Sequence, residues 1–514
     1  MWIATARQGL FEFKSDALLP QPGPPGDEQV NAYCLLEDRQ GQLWAGVGNW
    51  KVLCRRAGGW QVYNQNDGLP FAYVSSLAEG TDGTIWAGSL DEGLYYLQAG
   101  RFNTVKKENG LSANDIRSLR ADREGNLWVG TRTGGLNRLS QRKLIHCGVA
   151  QGLTNDYTRS VAESADGTLW VATTGGGLYR GGLNGFERFA PSEESRFYAH
   201  ADSVLVTGDG SVWWGGAYAL LCWREGRLTG CYTNQPWVLG TSITALCPSH
   251  QGGLWIGNSA GALVRFKDGE FISFPQQVAR GTITALAEET NGCLWVGSPG
   301  GELKRLQPGS DAVLWVTNGL LSYSIRTLHL DDQGALWIGT AGGGLSRWRE
   351  GRIATFTTQQ GLGANTVSQI VEDDYGCLWL GSNRGIFRVR KSELEALAAG
   401  KLSYLHPRTY GLNAGMLAEE CSSGFCPSGL KTRSGLVCFS TVKGLVFLDP
   451  SKQETGAPPP DVLLEEVLVN GKVQELVPAA ARPGLVDGGG VPLQKLVVAP
   501  GGRDVELHYT GLSF

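Results

Sequence analysis

The chain repeats one short alternation of apolar and polar positions bounded by glycines. Its clearest copies are Gly-Asn-Leu-Trp-Val-Gly-Thr at residues 125–131, Gly-Ala-Leu-Trp-Ile-Gly-Thr at 334–340 and Gly-Cys-Leu-Trp-Leu-Gly-Ser at 376–382. Short apolar runs closed by turn residues predict β-strands. One unit can be followed from Asn109 to Ser140. Residues 116–119 predict a first strand, 122–125 a tight turn, 127–131 a second strand and 136–139 the start of a third. In other copies Asp268-Gly269-Glu270 or Glu350-Gly351-Arg352 forms a hairpin turn into a fourth strand.

The phrase recurs at Trp2, Trp44, Trp86, Trp128, Trp170, Trp213, Trp255, Trp295, Trp337 and Trp379, with spacings of 40 to 43 residues. An eleventh, degenerate copy carries Cys438 at the tryptophan position, 59 residues after Trp379. A period of 40–45 residues with four strands per unit is the mark of a β-propeller. Every complete copy has a glycine three residues before its anchor, from Gly41 to Gly435. That identity predicts a turn with positive φ. A large ring at one position of every unit predicts packing between neighbouring blades.

Composition supports many short strands and tight turns: 74 glycines, 17 tryptophans and two methionines among 514 residues. The net charge of −4 gives no electrostatic footprint for nucleic acid or an acidic membrane surface. No apolar stretch reaches the roughly 18–20 residues that cross a bilayer. Of the eleven cysteines, Cys222 with Cys231 and Cys421 with Cys426 are spaced to allow bridges. The alternative is that most are small buried hydrophobes, as Cys293 and Cys377 beside Leu-Trp indicate. The Gly-rich stretches 173–177 and 342–344 lie between strands, with no helix after them to cradle phosphate. No motif calls for a cofactor or a metal.

The phrase Gly-x-Leu-Trp-Ile-Gly-Thr-x-x-Gly-Gly-Leu, with Gly-Leu-x-x-Asn-x-Val before the next strand, resembles the two-component regulator propeller repeat. Residues 410–450, ending at Asp449-Pro450, resemble the closing repeat of that family's second propeller. Residues 461–467 and 507–514 resemble the opening of the Y_Y_Y β-sandwich that follows it. The resemblance implies an all-β chain. Residues 1–150 would be the last four blades of a truncated propeller, and 151–450 a seven-bladed propeller. A Pro-rich linker at 451–460 and the start of an Ig-like β-sandwich at 461–514 would follow. The chain begins and stops within repeats and strands, and is expected to be a fragment. The family implies the periplasmic or extracytoplasmic sensor segment of an inner-membrane, (hybrid) histidine kinase. The full-length receptor would be a homodimer, joined to the membrane only through C-terminal regions. The ligand class it implies is an oligosaccharide or another small ligand.

Propellers bind at one face, near the central channel. The loops leading into the first strands, and those between second and third strands, are expected to share that face. Arg117, Arg159 and Arg326 all lie eleven residues before an anchor. They could ring the channel mouth of adjacent blades and hold an anionic ligand; alternatively they satisfy loop carbonyls and carboxylates. Tyr157, His200, Trp237, Tyr323 and Asn365 complete the candidate ligand-binding set. Two other classes stay open: a propeller lyase or hydrolase, since virginiamycin B lyase has a resembling repeat, and a constitutive interaction scaffold. The six histidines form no His-x-x-x-His or Glu-x-x-His pair. No kinase motif is present, so the segment itself is expected not to be an enzyme.

Overall fold

The structure is a computed structural model of the 514-residue chain. It describes all residues except 6–8, 26–29, 49, 57, 70, 72, 124, 141–143, 191–199, 275–277, 301–302, 308–312, 317–318, 323, 453–460, 470–471, 474–476, 479–493, 496–504 and 513–514. Strands dominate, and among the described residues there is one α-helix, Lys391–Ala398. The fold is an all-β propeller array.

The unit parsed above folds as expected. Its strands are Ile116–Ala121, Leu127–Thr131 and Leu136–Leu139, paired antiparallel in order. All ten turn glycines have positive φ, from +72° at Gly376 to +87° at Gly252 and Gly435. A side chain there would meet open space at Gly334 and Gly376, so the backbone conformation alone demands glycine. A second glycine lies two residues after most anchors for another reason. A Cβ on Gly297 would lie 2.5 Å from Cγ2 of Ile325, on the first strand of the next blade.

The chain forms two compact units. One comprises residues 142–453 and holds seven four-stranded sheets. Blades take the name of their anchor residue. Six sheets follow chain order, from the Trp170 blade (Thr158–Glu163, Leu169–Thr173, Gly177–Gly182, Gly185–Phe189) to the Trp379 blade. The seventh, the Cys438 blade, is built from both ends of the unit. Gly429–Lys431, Val437–Thr441 and Gly444–Leu448 are joined at the outer edge by Leu144–Cys147. That strand pairs Leu144 with Leu448 and Cys147 with Leu445. The ring is thereby closed in sequence as well as in space. This is why the unit begins at residue 142 rather than 151.

Each anchor packs on the following blade. Trp295 lies with Leu336 and Ile338, Trp337 with Leu378 and Leu380, and Trp379 with Val437 and Phe439. Cys438 packs with Val161, Leu169 and Val171 of the Trp170 blade, which completes the circle. The indole N–H is bound as well. In six blades it donates to the side chain six residues earlier, as in Trp337 to Asp331 at 2.9 Å and Trp379 to Asp373 at 2.8 Å. In those blades the anchor packs a large apolar ring while its one polar atom stays satisfied.

The other unit comprises residues 1–141 and 454–514. Its first part holds four sheets around Trp2, Trp44, Trp86 and Trp128, with three, four, four and three strands. Their strands follow the same repeat register. In its C-terminal part Asp461–Val469 pairs with Val505–Leu512, close to the two strands expected there. These and Lys472–Val473 form a three-stranded sheet, and Val477–Pro478 pairs with Gln494–Lys495. The linker expected at 451–460 falls largely outside the described residues.

None of the eleven cysteines is in a disulfide. The hairpin pairs Leu221 with Cys231 and Cys222 with Gly230. Cys222 and Cys231 therefore point to opposite faces, one buried and one exposed. Cys421 is held by Ser382, and Cys426 by Thr244, in different blades.

Candidate functional site

One backbone hydrogen bond recurs through the array and defines a face. The carbonyl thirteen residues before the anchor accepts from the amide four residues after it. Asn31 accepts from Gly48, Tyr73 from Leu90, Asp115 from Arg132, Tyr157 from Thr174, Ser242 from Ser259 and Ser324 from Ala341, at 2.9 to 3.1 Å. Lead-in loops and second-to-third loops therefore do share one face. Just inside it, the residue eleven before the anchor sits at a register shift of the first strand in several blades. Arg117, Arg159, Thr244 and Arg326 all occupy such a bulge. A bulge re-aims the extra side chain away from the pleat.

What stands at that position decides what it does. Thr244 and Thr284 donate to carbonyls of the next blade, Ile283 at 2.7 Å and Ile325 at 2.8 Å. Arg159 also serves the fold. Its Nε donates to Thr174 Oγ1 at 2.8 Å, its Nη1 pairs with Asp202, and its guanidinium lies 4.6 Å from the ring centre of Phe425. Asp202 is the same repeat position one blade on. Arg326 is half-buried in the Trp337 blade, three blades away from any neighbour of Arg159 on one side, with the Trp379 and Cys438 blades between them on the other. Arg117 is exposed and belongs to the other unit. The three arginines thus do not line adjacent blades of one ring: Arg117 belongs to the other unit, and at least two blades separate Arg159 from Arg326.

The remaining candidates are similarly dispersed. Trp237 is buried in the core with Trp213 and Ile243, its ring 5.1 Å from Phe271. Its carbonyl accepts from Thr241 and Asn258. Asn365 braces its own loop: its side chain accepts from Thr358 N at 2.9 Å and its carbonyl from Gly342 and Gly344. Tyr157 is half-buried, with its amide donating to Asn155 Oδ1. His200 is exposed, edge-on to Tyr218 at 6.0 Å. Tyr323 lies outside the described residues.

The ring's axis is occupied by the chain itself. Between the Trp379 and Cys438 blades, residues 421–428 cross from one innermost strand to another. Cys426 exchanges backbone bonds with Thr244 and Leu246 at 3.0 and 2.9 Å. The Pro427 carbonyl accepts from Ser160 Oγ and Val161 N, and Ser422 Oγ donates to the Thr158 carbonyl at 2.5 Å. Gln369 Nε2 is shared between the carbonyls of Ser422 and Ser440, both at 2.8 Å. This segment and the helix Lys391–Ala398 lie in the 59-residue interval that precedes the degenerate Cys438 copy and lengthen it. Sequence reasoning missed the plug, although the long spacing was its signal.

On the opposite face a cleft of about 810 Å³ opens between the Trp337, Trp379 and Cys438 blades. It is lined by His329, Asp332, Glu372, Asp374, Lys391 and Lys431, among others. Lys391 Nζ lies 2.5 Å from Glu372 and 3.4 Å from both Asp331 and Asp332, while His329 Nε2 is 3.0 Å from Glu372. Burial pushes the Glu372 carboxyl up, but the His329 and Lys391 hydrogen bonds and the Lys391 charge outweigh it and hold it below its usual range. Asp331 is lowered likewise, with burial opposed by the Trp337 and Ala335 hydrogen bonds and by Lys391. Burial disfavours the charged Lys391, and Glu372 and Asp331 more than restore it. The cluster ties the helix to the Trp337 and Trp379 blades. Among the described residues, no group of His, Cys, Asp and Glu is placed to hold a metal ion.

The comparisons with known proteins agree with this architecture. The two-component regulator propeller family matches residues 110–133, 319–342 and 361–384. Those three segments match the two-component regulator propeller repeat. The three matches run from a lead-in loop through the anchor strand to the following loop, the segment that builds the shared face. Among solved structures, the extracellular domain of BT3049 from B. thetaiotaomicron, assigned as a hybrid two-component system, aligns over 99% of this chain and 67% of its own. The TM-score is 0.67 at 18% identity, a likeness of fold. The extracellular domain of BT4673 from the same organism, also assigned as a hybrid two-component system, aligns over 92% of this chain and 66% of its own, with TM-score 0.47 and 16% identity. Virginiamycin B lyase from Staphylococcus aureus aligns over 63% of this chain and 96% of its own, with TM-score 0.33 and 15% identity, too distant to carry an argument. The chain spans about two thirds of the length of the two-component structures it matches. No curated protein matches it. No helix among the described residues is long and apolar enough to cross a membrane.

Proposed function

We propose that this chain is the extracytoplasmic ligand-sensing segment of a two-component signalling protein, a histidine kinase in its full length. The reading is supported by two-component regulator propeller repeats in a fold shared with an extracellular domain of that class. The observation that directs it to a face is the plug of residues 421–428, which takes the axial path for the ring's own stability. The ligand takes the loop face, since the cleft of the opposite face is bridged by the Lys391–Glu372 and His329–Glu372 pairs, and the change it causes passes to the C-terminal β segment, which resembles a Y_Y_Y domain. That segment in turn drives a membrane helix and a homodimeric kinase. An oligosaccharide is the leading ligand class. Thermal shift of the full chain against neutral and acidic oligosaccharides tests the proposal, since a ligand bound only by the folded state raises the melting temperature. A reproducible rise with one class supports sensing. No rise with any saccharide moves the weight to a protein partner.

A further inference from the structure

The two middle blades of the N-terminal unit present four large aromatic rings to solvent on the loop face. Tyr33 occupies the bulge position of the Trp44 blade, and Trp50 lies in that blade's loop after the second strand. Phe71 and Tyr73 lead into the first strand of the neighbouring Trp86 blade. They are 54%, 39%, 63% and 46% exposed. The rings meet across the two blades: Tyr33 and Tyr73 edge-to-face at 5.5 Å, Trp50 and Phe71 at 4.7 Å. Tyr33 also lies against Gly48, two residues before Trp50, so the pairs adjoin.

Three features separate this patch from the ordinary apolar residue left on a surface. Trp50 holds φ +60°, the left-handed region that a bulky side chain avoids. The backbone accepts strain where glycine would be free of it, and what it presents is a half-exposed indole. Next, within residues 31–33, 48–51, 68–74 and 89–92, these four rings are the exposed large apolar side chains, with no aliphatic one among the described residues. Protein interfaces are enriched in aromatic groups together with methionine and arginine, and these four segments contain neither methionine nor arginine. Last, the surroundings are polar and carry little net positive charge. Asp91 is exposed, and Lys106 is paired with Glu92 at 2.7 Å. The one lysine of these segments, Lys51 beside Trp50, is half-buried and outnumbered by Asp91 and Glu92, so the patch offers no cluster of basic groups to a polyanion.

We infer that Tyr33, Trp50, Phe71 and Tyr73 form a binding platform for a neutral oligosaccharide. Flat rings with polar rims match pyranose units, whose C–H faces stack on an aromatic ring while their hydroxyls turn to polar loops. The rigid pairs cost little conformational entropy on binding, because each ring has two side-chain torsions and is already braced by its partner. The inference rests on the sensor reading for the presence of a saccharide, and goes beyond it in naming the rings and a neutral ligand.

The test uses the full chain and three neutral probes: the β-1,4-linked hexaoses of glucose, xylose and mannose. Binding is followed by titration calorimetry in wild type, Trp50→Gly and Tyr73→Ala. Trp50→Gly removes the ring and relieves the positive φ, so its melting temperature should equal or exceed that of wild type. Expected is binding of at least one hexaose, weakened tenfold or more in both variants with folding intact. Equal affinity in wild type and variants overturns the platform and leaves the sensor reading standing. No hexaose bound at millimolar concentration overturns the ligand class, and the acidic saccharides of the wider screen then decide the sensor reading separately. Self-association of wild type that both variants abolish, seen by sedimentation velocity, overturns the inference in favour of an interface between copies.

Discussion

Asp373 offers the sharpest check on how a blade is held together. Its side chain is 1% exposed. One carboxylate oxygen accepts the Trp379 indole N–H at 2.8 Å, and the other accepts the amides of Tyr375 and Cys377, both at 2.9 Å. Arg388, stacked 5.3 Å from the Trp379 ring centre, reaches the same carboxylate at 3.4 Å. Asp373→Ala strands the indole N–H and the Cys377 amide inside the fold. Each stranded buried donor costs about 1–3 kcal/mol. Arg388 loses its counter-charge, and the expected total is about 3–5 kcal/mol. Asp373→Asn keeps an acceptor and should cost about half as much. The control is Asp374→Ala, one residue on, where a 68% exposed carboxylate pairs with Lys431. An exposed pair of that kind is worth about 0–1 kcal/mol. Guanidinium unfolding of the full chain, followed by tryptophan fluorescence, reads the difference. If Asp373→Ala costs no more than Asp374→Ala, the indole–carboxylate bond is not what the repeat preserves, and the reasoning fails.

Acid should loosen the Trp337–Trp379 side of the ring first. Glu372 and Asp331 titrate below their usual values when folded, so their contribution is complete above the unfolded pKa and is lost as pH falls through the folded one. Melting temperature should therefore drop between roughly pH 5 and pH 3, and less steeply in Glu372→Gln. Gly297→Ala should destabilise by about 1–3 kcal/mol through overpacking; because the clash is with Cγ2 of Ile325, Ile325→Ala, which removes that methyl, should cost less in the Gly297→Ala background than in wild type in the same unfolding assay. Burial pushes the Cys421 thiol up to about 12 and that of Cys438 well above its usual value. An aromatic disulfide reagent at pH 8 should label exposed Cys231 quickly, with that phase lost in Cys231→Ser, and reach Cys421 and Cys438 only on unfolding.

The blade was legible in the sequence because its causes are local and repeated. A turn needing positive φ fixes glycine at Gly125 or Gly334 whatever surrounds it. An inter-blade ring recurs because each blade faces the same neighbour, so ten tryptophans announce one packing rule. The same locality explains what stayed hidden. Leu144–Cys147 looks like any short apolar run, and its partner lies some three hundred residues away at Gly444–Leu448. Only closure of the ring brings the two together, because an open seventh blade would leave an unpaired edge. Residues 421–428 show no period, since the segment bonds to several blades, the Trp170, Trp255 and Trp379 blades among them, rather than to one repeating neighbour. Arg159 and Trp237 carry functional chemistry in their side chains, and tertiary packing turned the first toward Asp202 and Phe425 and the second into the core. Tyr33, Trp50, Phe71 and Tyr73 stand at four different repeat positions, so no spacing links them; two adjacent blades make them one surface. Sequence alone determined the unit and its repetition, which depend on neighbours along the chain. The closing strand, the plug and the exposed rings depend on which distant residues the ring places side by side, and that only the tertiary structure decided.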